Sequence, residues 1–143
     1  CELGAIVGGV EPKNIRRLKR YGYFVGMSFQ LVDDILDFTA TDKELGKPAG
    51  SDLLQGNITL PALLLKDHPK VRPYIDKVIT GTLTEEERKD MLKIIRKSDA
   101  IQQAAKLSDK YLQKALKEVE GLPNHPMKKK LRDIALFIGR RKF

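Results

Sequence analysis

The sequence predicts an all-α protein, and three observations carry that prediction. No stretch alternates apolar and polar residues with the period of two that a half-buried strand requires. Apolar residues instead recur three and four apart through segments punctuated by glycine and proline. Thr84 followed three positions later by Glu87 is a capping box, a start signal specific to helices. With 143 residues, 41% apolar and 32% charged, the chain is long enough to bury a core and reads as a single helical domain over residues 1–143.

The chain opens on CELGAIVGG, an apolar run with neither a cap nor a polar lead-in, which is how the middle or end of a helix reads. The expectation is that residues 1–143 form the C-terminal part of a larger domain. Glu11-Pro12-Lys13-Asn14 then reads as a turn with Asn14 as cap, followed by a long helix from about Ile15 to Phe38. Gly22 and Gly26 each cost that helix about 1 kcal/mol against alanine, which implies a packing reason or, at Gly26, room for a ligand.

The second half of this helix organises the rest. At about 100° per residue, Gln30, Asp33, Asp34 and Asp37 fall within an arc of roughly 100°. Phe29, Leu31, Val32, Ile35, Leu36 and Phe38 take most of the remaining circumference. An acidic stripe is as a rule a solvated face. So apolar a helix is a buried one, however, and its stripe is then expected to face a cleft. Carboxylates one turn apart repel, so something positive should sit against them. All-oxygen donors at this spacing suit a hard cation such as Mg²⁺, which keeps several waters and is completed by phosphates. The following loop, residues 40–57, supplies Lys43 and Lys47 among Gly46, Pro48, Gly50 and Gly56. Acids for a metal beside lysines for phosphate point to diphosphate chemistry.

Past the loop, Pro61 fits the first turn of a short buried helix that His68-Pro69 ends. Val71–Ile79 is a further short helix closed by Gly81, and the capping box opens TEEERKDMLKIIRK. Asp99 with Gln102 repeats the signature before a helix whose face is held by Ile101, Ala104, Ala105, Leu107, Ser108, Tyr111, Leu112, Ala115, Leu116 and Val119. Gly121 and Pro123 end it. From Pro126 to about Ile138 a final helix is expected to turn Leu131, Ile134, Ala135, Phe137 and Ile138 inward.

The runs FQLVDDILDF and GKPAGSDLLQGNITLPALL resemble the second aspartate-rich region and following loop of the trans-isoprenyl (polyprenyl) diphosphate synthases, long-chain type, and Asn57 resembles some heptaprenyl-type sequences. The resemblance is specific over residues 21–65 and reduces to helix pattern beyond them. It implies the C-terminal half of the isoprenoid synthase helical-bundle fold, with the first aspartate-rich motif and the isopentenyl diphosphate site in an N-terminal half. It implies a Mg²⁺-dependent prenyltransferase that condenses an allylic diphosphate with isopentenyl diphosphate. Asp33 would hold the metal most directly, with Asp34 and Asp37 shaping its surroundings. Gln30 and Lys47 would contact the allylic diphosphate as catalytic residues, and Asp52 would organise the loop around Lys47. Asn57 departs from the lysine that many relatives carry, and an amide offers no charge to phosphate. Residues 1–143 by themselves are expected to be inactive, and the complete enzyme to be a homo- or heterodimer. The basic C-terminal GRRKF is either a solvated tail or, by resemblance, one that folds over the site. The alternative is a non-catalytic helical partner subunit or remnant.

Composition bounds the partners. The 27 basic and 19 acidic residues give a net charge of +8, spread rather than striped except for Lys128–Arg132 and Arg140–Lys142. No zinc or aromatic recognition motif accompanies the charge, so nucleic acid is not an expected partner. No apolar run approaches the roughly 20 residues of a membrane span, and no signal peptide is visible. The chain is expected to be cytoplasmic, with at most peripheral membrane contact. A lone cysteine, Cys1, provides neither disulfide nor metal cluster, and His68 and His125 precede prolines in turns without ligand spacing.

Overall fold

The structure, a computed structural model, describes residues 1–41, 46 and 48–139. Among these residues it is helical throughout its regular structure, without a strand. The helices in chain order are α1 (Glu2–Val7), α2 (Pro12–Thr39), α3 (Ser51–Leu54), α4 (Leu60–Leu63), α5 (Arg72–Thr80), α6 (Glu85–Lys97), α7 (Ala100–Glu120) and α8 (Pro126–Gly139). The all-α expectation is met. No described helix is long and apolar enough to cross a membrane.

Contacts divide the chain into two compact units. The first takes residues up to Val32 and, from Leu107, the end of α7 and all of α8. Its core is Tyr21, Val25, Leu112, Ala115, Val119 and Ala135. The Tyr21 hydroxyl donates to the Leu131 carbonyl at 2.8 Å, and burial raises its pKa. Small residues let α7 and α8 approach closely: a Cβ at Gly139 would come within 2.7 Å of the Leu112 side chain. The Ser28 and Ser108 hydroxyls, both buried, lie 3.1 Å apart and satisfy one another inside this core. Ile134 and Phe137 do not turn inward as the sequence suggested, being 49% and 74% exposed. Ala135 and its neighbours one turn away already fill the face of α8 that meets the core.

The second unit covers Asp33 to Lys106. Phe38, Leu53, Ala62, Val71, Ile75, Val78, Met91, Leu92 and Ile95 are its buried cluster. The capping box at α6 is present in full, with the Glu87 N–H donating to Thr84 Oγ1 at 3.3 Å and the Thr84 N–H to Glu87 Oε2 at 3.1 Å. The Lys77 ammonium on α5 pairs with Glu87, and this bond is the main reason its carboxyl lies below the usual carboxylate range.

Four local expectations change. α2 begins at Pro12, which needs no N–H partner in the first turn, so Asn14 sits inside the helix and is buried rather than capping. The Lys-Gly loop contains a one-turn helix, α3, before its end. α4 stops at Leu63, short of His68-Pro69, and continues as turns. The Asp99 side chain accepts from Gln103 Nε2 at 2.8 Å, one turn on, in place of a capping box with Gln102.

Candidate functional site

The last turns of α2 carry Asp33, Asp34 and Asp37 into the second unit's core region because Phe38 is fully buried and fixes the helix's rotation there. Asp34 and Asp37 are drawn in with it, 9% and 2% exposed, whereas Asp33 is half-buried. Gln30, one turn earlier on α2, is exposed.

Two of the carboxylates hold the chain that follows. Asp34 Oδ2 accepts the Leu60 N–H at 3.3 Å, at the first residue of α4. Asp37 Oδ1 accepts the Ser51 hydroxyl at 3.4 Å, at the first residue of α3. The Asp37 backbone carbonyl takes the Gly50 N–H at 2.7 Å, pinning the same place a second time. Gly50 is required there twice over. Its φ of 70° is left-handed, and a Cβ would stand 2.9 Å from Leu92. Asp34 and Asp37 thus fasten the starts of both short helices to the acidic turn.

From across the unit, Arg96 on α6 donates its Nε to the Phe38 carbonyl, one of the last carbonyls of α2 that lack an intrahelical partner. Ser51, the Leu60 N–H and Arg96 were not singled out by the sequence. Ser51 has a local signal, since Gly-Ser-Asp is a helix-start pattern. Arg96 has none, being 58 residues from its partner.

Asn57 is exposed, and its backbone N–H donates to the Asp52 carbonyl at 2.8 Å, closing the turn after α3. Gly26 has nothing within 4 Å of where a Cβ would stand, so the missing side chain leaves open space rather than close helix packing. Lys43, Lys47 and the Arg140–Phe143 tail lie outside the described residues.

No group of three or more His, Cys, Asp or Glu side chains among the described residues is arranged to hold a metal by itself. The donors that the aspartates offer are carboxylate oxygens without sulfur or imidazole, which fits a hard cation. Such an ion at this place would need water or phosphate oxygens to complete its coordination, as Mg²⁺ characteristically does.

The polyprenyl synthetase family model matches residues 1–98, which contain all of these side chains. The chain belongs to the polyprenyl synthetase family. Over all 143 residues this polyprenyl synthetase chain is 46% identical to heptaprenyl diphosphate synthase component 2 of Bacillus subtilis (strain 168), covering 41% of that protein. It is 37% identical over 134 residues to the chloroplastic solanesyl diphosphate synthase 2 of Arabidopsis thaliana, with 93% of this chain and 31% of that one covered. Among solved structures, the Staphylococcus aureus heptaprenyl diphosphate synthase superposes with a TM-score of 0.88 at 42% identity, covering 98% of this chain and 44% of that one. The geranylgeranyl pyrophosphate synthase of Corynebacterium glutamicum, crystallised with calcium and isoprenyl diphosphate, gives a TM-score of 0.82 at 35% identity, covering 97% and 44%. The fold is therefore that of the polyprenyl synthase structures, and this chain spans about two-fifths of the length of the relatives it matches.

Proposed function

We propose that the protein containing these residues elongates prenyl chains by condensing an allylic diphosphate with isopentenyl diphosphate, in a Mg²⁺-dependent reaction in the cytoplasm. The observation that carries this reading is the division among the acids. Asp34 and Asp37 are buried and hold α3 and α4 by neutral donors, while Asp33, on the same stripe, keeps contact with solvent.

Bound magnesium would supply positive charge where the departing diphosphate gathers negative charge. Asp33 is the carboxylate offered to it. Asp34 and Asp37 fix the direction of the stripe and the position of the segment from Gly50 to Leu60. Gln30 and Lys47 would donate hydrogen bonds to oxygens of the allylic diphosphate, strengthening as those oxygens gain charge. Asp52 would organise the loop around Lys47. Apolar helix walls would keep water from the allylic cation.

Residues 1–143 alone are expected not to elongate, because the sequence has one aspartate-rich helix where the chemistry asks for two. Relatives named component 2 support a two-component assembly, so the proposed partner is either a second copy or a different subunit. A non-catalytic partner subunit or remnant is the weaker reading, since the sequence keeps all three acids together with Gln30 and Lys47, the side chains that would contact the diphosphate.

The test is thermal unfolding with magnesium and inorganic diphosphate, singly and together. Each partly neutralises the charge that opposes the other. The joint shift is expected to exceed the sum of the separate shifts, approaching the equivalent of about 2.7 kcal/mol at a hundredfold excess over Kd. It should disappear in Asp33→Ala. Additive shifts, or a joint shift that survives the substitution, would leave the stripe only its structural role of holding α3 and α4.

A further inference from the structure

The first unit carries a feature that prenyl transfer does not use. Helix α8 begins Pro126-Met127-Lys128-Lys129-Lys130, with no acid in its first turn and Arg132 just beyond. A helix N-terminus carries partial positive charge and favours acids, so a run of lysines there opposes stability. Two of these cations have internal duties. Lys128 Nζ donates to the Glu120 and Leu122 carbonyls at 2.7 and 3.2 Å, finishing α7, and Arg132 pairs with Glu120. Lys129 and Lys130 are exposed, and among the described residues no acid engages either.

Two cavities meet at this end, with His125 and Lys128 lining both. One, of about 510 Å³, is bordered by Lys128, Lys129 and Arg132 and by Glu120, whose carboxylate offsets Lys128 and Arg132 and leaves Lys129 as the cation it does not meet. The other, of about 330 Å³, is walled by Val10, Leu18, Leu122, Pro123, Met127 and Leu131. Met127 is 49% exposed, so an apolar side chain stands in solvent next to the lysines.

We propose that this end of the first unit is a docking surface for an anionic phospholipid bilayer. Lys129 and Lys130 would meet headgroup phosphates while Met127 and the apolar cavity beside it take up acyl-chain surface. Charge complementarity selects the occupant. Cations flanking apolar side chains match the bilayer interface, where charge lies outside and hydrocarbon just beneath. A nucleic acid would ask for a platform of Phe, Tyr or Trp side chains on which successive bases stack, and neither cavity is lined by one of these. This proposal goes beyond the prenyl-transfer reading and stands on residues that reading does not use.

The experiment is co-sedimentation of the full-length protein with vesicles of phosphatidylcholine alone and with about one-third phosphatidylglycerol, at low and raised salt. Binding is expected only to the anionic vesicles and should weaken with salt. The double variant Lys129→Glu/Lys130→Glu should lose about tenfold or more in affinity. Its thermal stability should not fall, because acids suit a helix N-terminus, so the loss would not come from unfolding. Met127→Ser should weaken binding while leaving the salt dependence unchanged. Equal binding to both vesicle types, binding retained by the double variant, or tighter binding to a DNA duplex than to anionic vesicles would overturn the proposal.

Discussion

The two halves of α2 handle charge in opposite ways. In the first half Arg17 and Arg20 meet Glu118 on α7, with Arg20 Nε 2.8 Å and Arg17 Nη1 3.3 Å from its carboxylate. The hydrogen bond to Glu118 raises the Arg20 pKa further above its already high value. In the second half, the Leu60 N–H and the Ser51 hydroxyl bind Asp34 and Asp37. An ion pair to another helix cancels charge, whereas a hydrogen bond from a hydroxyl or a backbone N–H fixes a carboxylate in place without bringing a charge of its own. The first half of α2 is therefore arranged to assemble a bundle, and the second to hold the starts of the short helices that follow it.

If that distinction is functional, the largest effect belongs to Asp33. In the complete enzyme Asp33→Ala should lower turnover about 10²- to 10³-fold, the usual loss when one preorganised electrostatic contact to developing charge is removed. Asn57→Ala, which removes at most a neutral hydrogen bond, should cost nearer 1 kcal/mol. Incorporation of labelled isopentenyl diphosphate into extended product measures both, and equal losses would mean that the metal has been placed on the wrong residues.

Next in size is the anchoring of Asp37. Ser51→Ala removes a buried donor and should destabilise by about 1 kcal/mol in chemical denaturation. It should also weaken the joint response to magnesium and diphosphate, because Asp37 loses a tether. A stability loss with that response intact would make Ser51 purely architectural.

Glu118→Gln sharpens the contrast from the other side. It should lower the melting temperature by less than Ser51→Ala, since Arg20 is exposed and such pairs are screened. The magnesium–diphosphate response should be unchanged.

The smallest effect is in pH. The Glu87 carboxyl lies below its ordinary pKa beside Lys77, so its contribution to stability is present above the unfolded-state value. That contribution is lost as pH falls through the depressed folded-state value. Glu87→Gln should flatten this limb of the melting-temperature profile, and an unchanged limb would assign acid sensitivity to other carboxyls.

The sequence by itself determined the helical class, the extent of the acid-bearing helix to within a few residues, the capping box at Thr84 and the family. These are written locally: a helical period spans a few turns, a cap spans three residues, and the 21–65 resemblance is a contiguous string. Tertiary structure decided what the acids touch. That Asp34 reaches Leu60, Asp37 reaches Ser51 and Arg96 closes the end of α2 depends on how α3, α4 and α6 pack on Phe38, and no spacing rule encodes a partner 14, 26 or 58 residues away. Packing also left Ile134 and Phe137 exposed, because helical periodicity marks an apolar face without saying how much of it the neighbouring helices can cover.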